Sequence, residues 1–301
     1  MAVALSHQGS FGFALQAAQG VFATPDNWVP LIERGGPGPA ENLAARKNYH
    51  ALDWADVRAY QTAYFSAGEW VEGQVRFPLV PGTLTDLFSW IQDRDGENQG
   101  KWASAVVDCV HEVKQITDLK VRRASFELVT GEPVICTLEL TGLAIASGST
   151  PTPVMPAEPP YLYREALVEL AIGGVPAAEG NCERMRLTID TCLQAAEEGL
   201  RLAPSGAPAQ LYNLAGLRAR GAFSRDFADS GVYQDFLGGT EAALAVALQR
   251  GAAVAEIELP RILYVADGLG LPGSHERRLV EEVEFLALGS EDGATPPVVL
   301  G

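Results

Sequence analysis

The sequence is short of most of what catalysis and nucleic-acid binding require. Lysine occurs only at Lys47, Lys101, Lys114 and Lys120, and 22 basic residues in all face 38 acidic ones, a formal charge of −16. A field of that sign repels phosphate backbones and anionic lipid, which excludes binding by phosphate clamping. The cysteines (Cys109, Cys136, Cys182 and Cys192) form no CxxC pair, and the histidines are scattered at His7, His50, His111 and His275. No ligand set has zinc spacing, so the cysteines read as small buried residues of a reducing compartment. No apolar run approaches the ~18 residues that cross a bilayer as a helix. The opening MAVALSHQGSFGFALQ lacks a basic stretch ahead of an apolar one, so no secretory leader is expected and the chain reads as a soluble protein made in a cytoplasm. Neither a Walker motif nor HExxH occurs, and no metal, cofactor or catalytic residue is assigned.

What is present is enough apolar material for real cores. At 301 residues with 47% hydrophobic content, two domains are the natural expectation. The clearest break is SGSTPTPVMPAEPP at Ser147–Pro160, with five prolines and no hydrophobic period, which divides the chain into 1–150, a linker at 151–160, and 161–301. Gly289–Gly301 reads as an extended tail.

Most periodic signals are strands. Val71, Gly73, Val75, Phe77 and Leu79 alternate with polar residues, the pattern of a half-buried strand. Val134, Cys136, Leu138 and Leu140 do the same after a hairpin turn at Thr130–Glu132. In the second half Met185, Leu187 and Ile189 alternate, as do Ile257 and Leu259 before Pro260, which is expected to end or edge its strand. Leu84, Leu87, Phe88 and Ile91 fall on one face of a helix, with Thr83 and Asp86 placed as a capping box. Arg277–Leu288 fits either a helix or a strand. Strand-rich halves with one short amphipathic helix each predict a mainly β, α+β architecture: two small sandwiches or barrels, each plugged by a helix.

The halves repeat. Gly73 and Gly221 lie in matching strands 148 residues apart, and Tyr233, Phe236 and Leu237 repeat the spacing of Leu84, Leu87 and Phe88 at an offset of 149. Coincidence between two amphipathic turns is the bland alternative; the shared order of elements favours duplication. All seven helix positions are candidates for the domain cores.

Two tempting motifs fail on context. Gly268–Gly273 matches GxGxxG, but no βαβ unit surrounds it and too little chain follows for the helix and second strand of a dinucleotide site. Ser274-His275-Glu276 is contiguous, whereas a triad is assembled from distant residues. Glu197-Glu198 and the run Glu281, Glu282, Glu284 read as solvated faces. Residues 34–70 are Gly/Pro-rich at first and then carry Tyr49, Trp54, Tyr60, Tyr64, Phe65 and Trp70 with little periodicity. A loop this long implies a use: either its aromatics anchor an inter-subunit or inter-ring interface, or they pack on their own domain.

In order and spacing these segments resemble the two-domain phage tail tube proteins of long-tailed phages. Phe11–Gln16 with Gly20–Pro25 is similar to the family's opening strand and turn, although Phe22 stands where glycine is usual. Trp70–Val75 through Leu84–Ile91 is similar to its strand-then-helix unit, and Leu211–Gly239 to the same unit again. Ile257–Pro260, Val283–Leu288 and Pro296–Leu300 are similar to its closing pattern. The resemblance implies a structural, non-enzymatic subunit of the virion tail, assembled in the host cytoplasm. It implies stacked trimeric, pseudo-sixfold rings around a tape measure protein, capped by a tail terminator and by distal tail or baseplate proteins. Genomic DNA then passes transiently through an acidic bore, with no membrane involved. A tube of a contractile tail or secretion apparatus is the nearest alternative; a β-sandwich module binding a ligand or glycan is one of another class.

Overall fold

Alternating apolar and polar residues become antiparallel sheet along almost the whole chain. The computed structural model describes residues 9–31, 41–52, 63–94, 100–109, 112–149, 152–172, 175–178, 182–200, 208, 210–227, 230–251, 253–270 and 279–301. In chain order, β1 (Ser10–Leu15), β2 (Asn27–Pro30), β3 (Ala44–Leu52) and β4 (Ala63–Pro78) lead into helix α1 (Leu84–Gln92), and β5 (Ala103–Asp108), β6 (Val113–Val129) and β7 (Ile135–Ser147) follow. The second half runs β8 (Ala166–Ile172), β9 (Val175–Ala178), β10 (Cys182–Asp190), β11 (Arg218–Asp226), α2 (Gly231–Gly238), β12 (Ala242–Arg250), β13 (Ala253–Gly270), β14 (Val280–Ala287) and β15 (Val299–Leu300). The fold is mainly β, as the alternation predicts.

The two halves pair their strands in the same order. The first is β3-β4-β7-β6-β5-β1-β2 and the second is β10-β11-β14-β13-β12-β8-β9. The match extends to irregularities. β6 slips register between Val121 and Arg123 against β7, and β13 slips at the equivalent point, between Tyr264 and Ala266 against β14. A bulge bends its strand, so β6 and β13 each serve two sheets: β6 pairs β5 along one stretch and β10 along the next. The β6–β10 pairing joins the halves into one continuous sheet.

One face of that sheet is apolar and covered. Val75 and Phe77 of β4, Val121 and Phe126 of β6, and Leu138 of β7 are buried with Phe11 and Phe13 of β1. Helix α1 closes this core with Leu84, Leu87, Phe88 and Ile91, all buried. Phe88 meets Phe126 edge-on at 6.2 Å between ring centres, and Trp90 stacks on Phe13 at 5.4 Å.

Helix α2 corrects its expected phase. Val232 is its buried residue and Phe236 is partly buried, whereas Tyr233 and Leu237 are exposed. Val232 and Phe236 stand 148 residues after Leu84 and Phe88, so helix and strand share the glycine offset. The sequence pattern was misleading because Tyr233, Phe236 and Leu237 also occupy helical spacing.

Other expectations change as well. Thr83 makes no side-chain cap; its hydroxyl donates to the Val80 carbonyl while Asp86 accepts from Asn27. β13 runs through Pro260, which falls within the register shift between β12 and β13, where a ladder donor is dispensable. Residues 34–70 contain β3 and the first half of β4 rather than one irregular loop: ahead of Val71, β4 pairs only with β3 among the described residues. The extended stretch after Gly289 is docked at its end: Val298 and Leu300 are buried and Leu300 is held at both backbone groups by the Gln92 amide. Arg277–Leu288 resolves as strand β14 from Val280. Of the cysteines, only Cys136 is fully buried. The proline-rich linker is anchored by Arg250, which donates to the carbonyls of Pro159 and Pro160 and pairs with Glu165.

Candidate assembly surface

The second face of the run β3-β4-β7-β6-β10-β11-β14-β13 carries the polar half of most alternations. Small and charged side chains dominate it, and opposite charges sit on adjacent strands. Glu127 pairs with Arg76 at 3.0 Å and Arg186 at 3.6 Å, while Arg123 pairs with Glu139 at 3.0 Å and Asp190 at 3.6 Å. Two shallow concavities of about 360 and 440 Å³ lie on this face, the first walled by Arg123, Glu139, Arg186, Arg220 and Glu284, the second by Arg184, Ser224 and Glu282. The face is therefore grooved, polar and carries both signs of charge.

At the seam, β10 lies on β6 with Arg186 opposite Glu127, Leu187 opposite Phe126, Thr188 opposite Ser125, Ile189 opposite Ala124 and Asp190 opposite Arg123. Leu187, Phe126, Ile189 and Ala124 are buried on the core side, and the Ser125 and Thr188 hydroxyls meet at 3.2 Å on the other. The connection after β10 then folds back over the first half. Lys120 donates to the Leu211 carbonyl at 2.7 Å and lies 4.3 Å above the Trp102 ring. Beside it Trp70, Trp102, Leu193, Ala196 and Leu211 form a small apolar cluster. Trp70 therefore packs within its own chain, the second of the two readings open for these aromatics.

The other aromatic candidates divide. Tyr49 lies on β3 and Tyr64 and Phe65 on β4, in an arm of two strands with His50 opposite Phe65 and Ala51 opposite Tyr64. Trp54 and Tyr60 lie outside the described residues. A two-stranded ribbon is marginally stable alone in water, which favours a covering partner for this arm.

Besides its ends at β2 and β9, the sheet leaves two strand edges on the run from β3 to β13. Among the described residues β3 pairs only with β4, and the stretch of β13 beyond Ile262 pairs only with β14. Exposed strand edges are templates for pairing with another chain.

Next to the β13 edge is a polar cluster with no counterpart in the first half. Arg225 and Glu281 pair at 2.6 Å with both side chains almost wholly buried, where the first half places Phe77 and Cys136. Burial pushes the Asp267 carboxyl up despite the nearby Arg225, and pushes the Tyr264 phenol up. Glu281 therefore does not belong to a solvated face, although Glu282 and Glu284 do. Gly268 and Gly270 lie within β13, which runs antiparallel to β14; Ser274, His275 and Glu276 lie outside the described residues. No helix among the described residues is long and apolar enough to cross a membrane, and these residues contain no group of three or more His, Cys, Asp or Glu placed to hold a metal.

A family model described as phage tail tube protein matches residues 6–295, nearly the whole chain. No curated protein matches it.

Proposed function

The chain belongs to the phage tail tube protein family, and from that premise we propose that it polymerises into stacked, trimeric, pseudo-sixfold rings forming the conduit for genomic DNA. Each half, 1–150 and 161–301 about the linker at 151–160, supplies one tube domain. The observation that carries this reading is the run of eight strands from β3 to β13 within the sheet, covered on one face, polar on the other, with β3 and the far stretch of β13 each paired on one side only among the described residues. Closing such sheets edge to edge removes the edges altogether. Because helices and the second layer cover the apolar face, the open face is the one left to line a bore.

The dimensions are adequate. Three copies give ~24 strands at ~4.8 Å spacing and a tilt of ~40°, a circumference of ~150 Å and a backbone diameter of ~48 Å. Side chains leave ample room for a duplex or a tape measure protein. A bore lined by this face presents alternating arginine and carboxylate rather than the uniformly acidic wall expected from the net charge. Carboxylates already paired to arginines keep phosphate from settling on those arginines, so DNA is neither clamped nor strongly repelled. The aromatic arm serves inter-subunit contact, the tape measure protein occupies the bore during assembly, and terminator and distal tail or baseplate proteins cap the ends. Assembly takes place in the host cytoplasm. Sedimentation velocity over a hundredfold concentration range tests the reading: a boundary moving to ring-sized and larger species supports it, and one monomer boundary throughout, also with the tape measure protein co-expressed, contradicts it.

A further inference from the structure

We propose that a second copy of this chain seats its strand β3 on the outer edge of β13, in the register in which β10 sits on β6. The proposal rests on the tube reading and specifies its contact surface.

Equivalent positions can be fixed without reference to sequence similarity. Gly73 lies opposite Leu140, and Gly221 opposite Phe285. A Cβ at Gly73 falls 2.6 Å from the Asn42 carbonyl oxygen, and one at Gly221 falls 2.6 Å from that of Arg186. Asn42 thus stands where Arg186 stands, and β3 where β10 does. Likewise Arg123 lies opposite Glu139 just past one bulge, and Ala266 opposite Glu284 just past the other. Carrying the seam register across places Asn42 of the second copy opposite Gly270, Leu43 opposite Leu269, Ala44 opposite Gly268, Ala45 opposite Asp267 and Arg46 opposite Ala266.

Three features of the exposed surfaces fit this contact. Ala45 is exposed, whereas its counterpart Ile189 is fully buried by the seam, as expected if Ala45 awaits the equivalent cover. Lys120 and Thr141 are each 2% exposed in the patch where Leu211 closes over the first half, yet Leu286, at the position of Thr141, is 43% exposed. The connection that covers this patch follows β10, so its counterpart from the second copy is the β3–β4 arm, which carries Tyr49, Tyr64 and Phe65. Finally, the seam row Asp190–Arg123–Glu139 becomes Arg46–Ala266–Glu284. Arg46 and Glu284 are both exposed and two strand spacings apart, ~10 Å, within joint reach across the small Ala266.

The test is a cysteine pair. Ala44→Cys with Gly268→Cys places two thiols where the Ser125 and Thr188 hydroxyls touch, within disulfide range. Assembled under mild oxidation, this variant is expected to yield covalent oligomers ending at ring size on a non-reducing gel. The out-of-register pair Arg46→Cys with Gly268→Cys and the unsubstituted chain should give at least tenfold less. Independently, Arg46→Glu should disperse rings and Arg46→Glu with Glu284→Arg should restore them. Should the cysteine variant misfold, hydrogen exchange on the unsubstituted chain gives the same answer: amides 43 and 45 of β3 and 267 and 269 of β13, which alternate with those directed at β4 and β14, should slow tenfold or more on assembly. Rings that form without the cross-link and without that protection overturn the β3–β13 contact and leave the tube reading standing. A chain that stays monomeric at every concentration and with its tail partners overturns both.

Discussion

Replacing Gly221 with alanine tests the close packing that defines the repeat. The new Cβ falls 2.4 Å from Phe285 Cζ and 2.6 Å from the Arg186 carbonyl oxygen, whereas carbon atoms in comfortable contact stand ~3.5–4.0 Å apart. Phe285 must therefore retreat by about 1 Å, but it is 1% exposed and its ring already meets Phe223 at 6.1 Å between centres. The carbonyl belongs to β10, so relief on that side means parting β10 from β11 beside the seam. Overpacking costs ~1–3 kcal/mol and each ladder hydrogen bond lost adds ~1 kcal/mol, about 3 kcal/mol in all. Urea unfolding should show a lowered midpoint at unchanged slope. Gly131→Ala is the control: its turn has φ +91° with nothing within 4 Å of an added Cβ, so the loss should be only the ~1–2 kcal/mol of a left-handed residue. A Gly221→Ala midpoint equal to wild type would refute the close approach and remove one anchor of the β3–β10 equivalence.

Three further outcomes follow from the same packing. Arg225→Leu leaves Glu281 buried without its guanidinium and should cost ~3–5 kcal/mol in urea unfolding. Leu300→Ala should cost ~2–5 kcal/mol, because Leu300 is 4% exposed and ties α1 to β13; a midpoint unchanged from wild type would mean the segment is not docked. The Asp267 carboxyl is pushed up by burial, so the folded chain holds this proton more tightly than the unfolded one. Its contribution to stability is full below the ordinary carboxylate range and is lost as pH rises through the folded pKa. Asp267→Asn should therefore raise the melting temperature at pH 7 while leaving it nearly unchanged at pH 3; equal shifts at both would exclude this group as the cause.

Much of the sheet was legible because burial on one face imposes a period of two. Val71–Phe77, Cys136–Leu140 and Met185–Ile189 all sit in the strands their alternation predicts. β3 was not, because AARKNYHAL carries no period of two. The α2 phase was missed for the opposite reason: Tyr233 and Leu237 supply helical spacing while facing outward. Arg225 and Glu281 were invisible as a pair, since 55 residues separate them and each looks like a surface charge in its own strand. The sheet edges belong to topology, and no local pattern announces them. Only the duplication, once its register is known, turns a contact inside the chain into an expectation about its neighbour.

The most direct measurement of the central claim is electron microscopy of the concentrated protein with image averaging along any filaments. The account predicts hollow tubes built of rings with six similar lobes from three chains, each joined to the next through β3 and β13. Particles that remain single chains, or rings whose subunits meet without a continuous inner sheet, would contradict it.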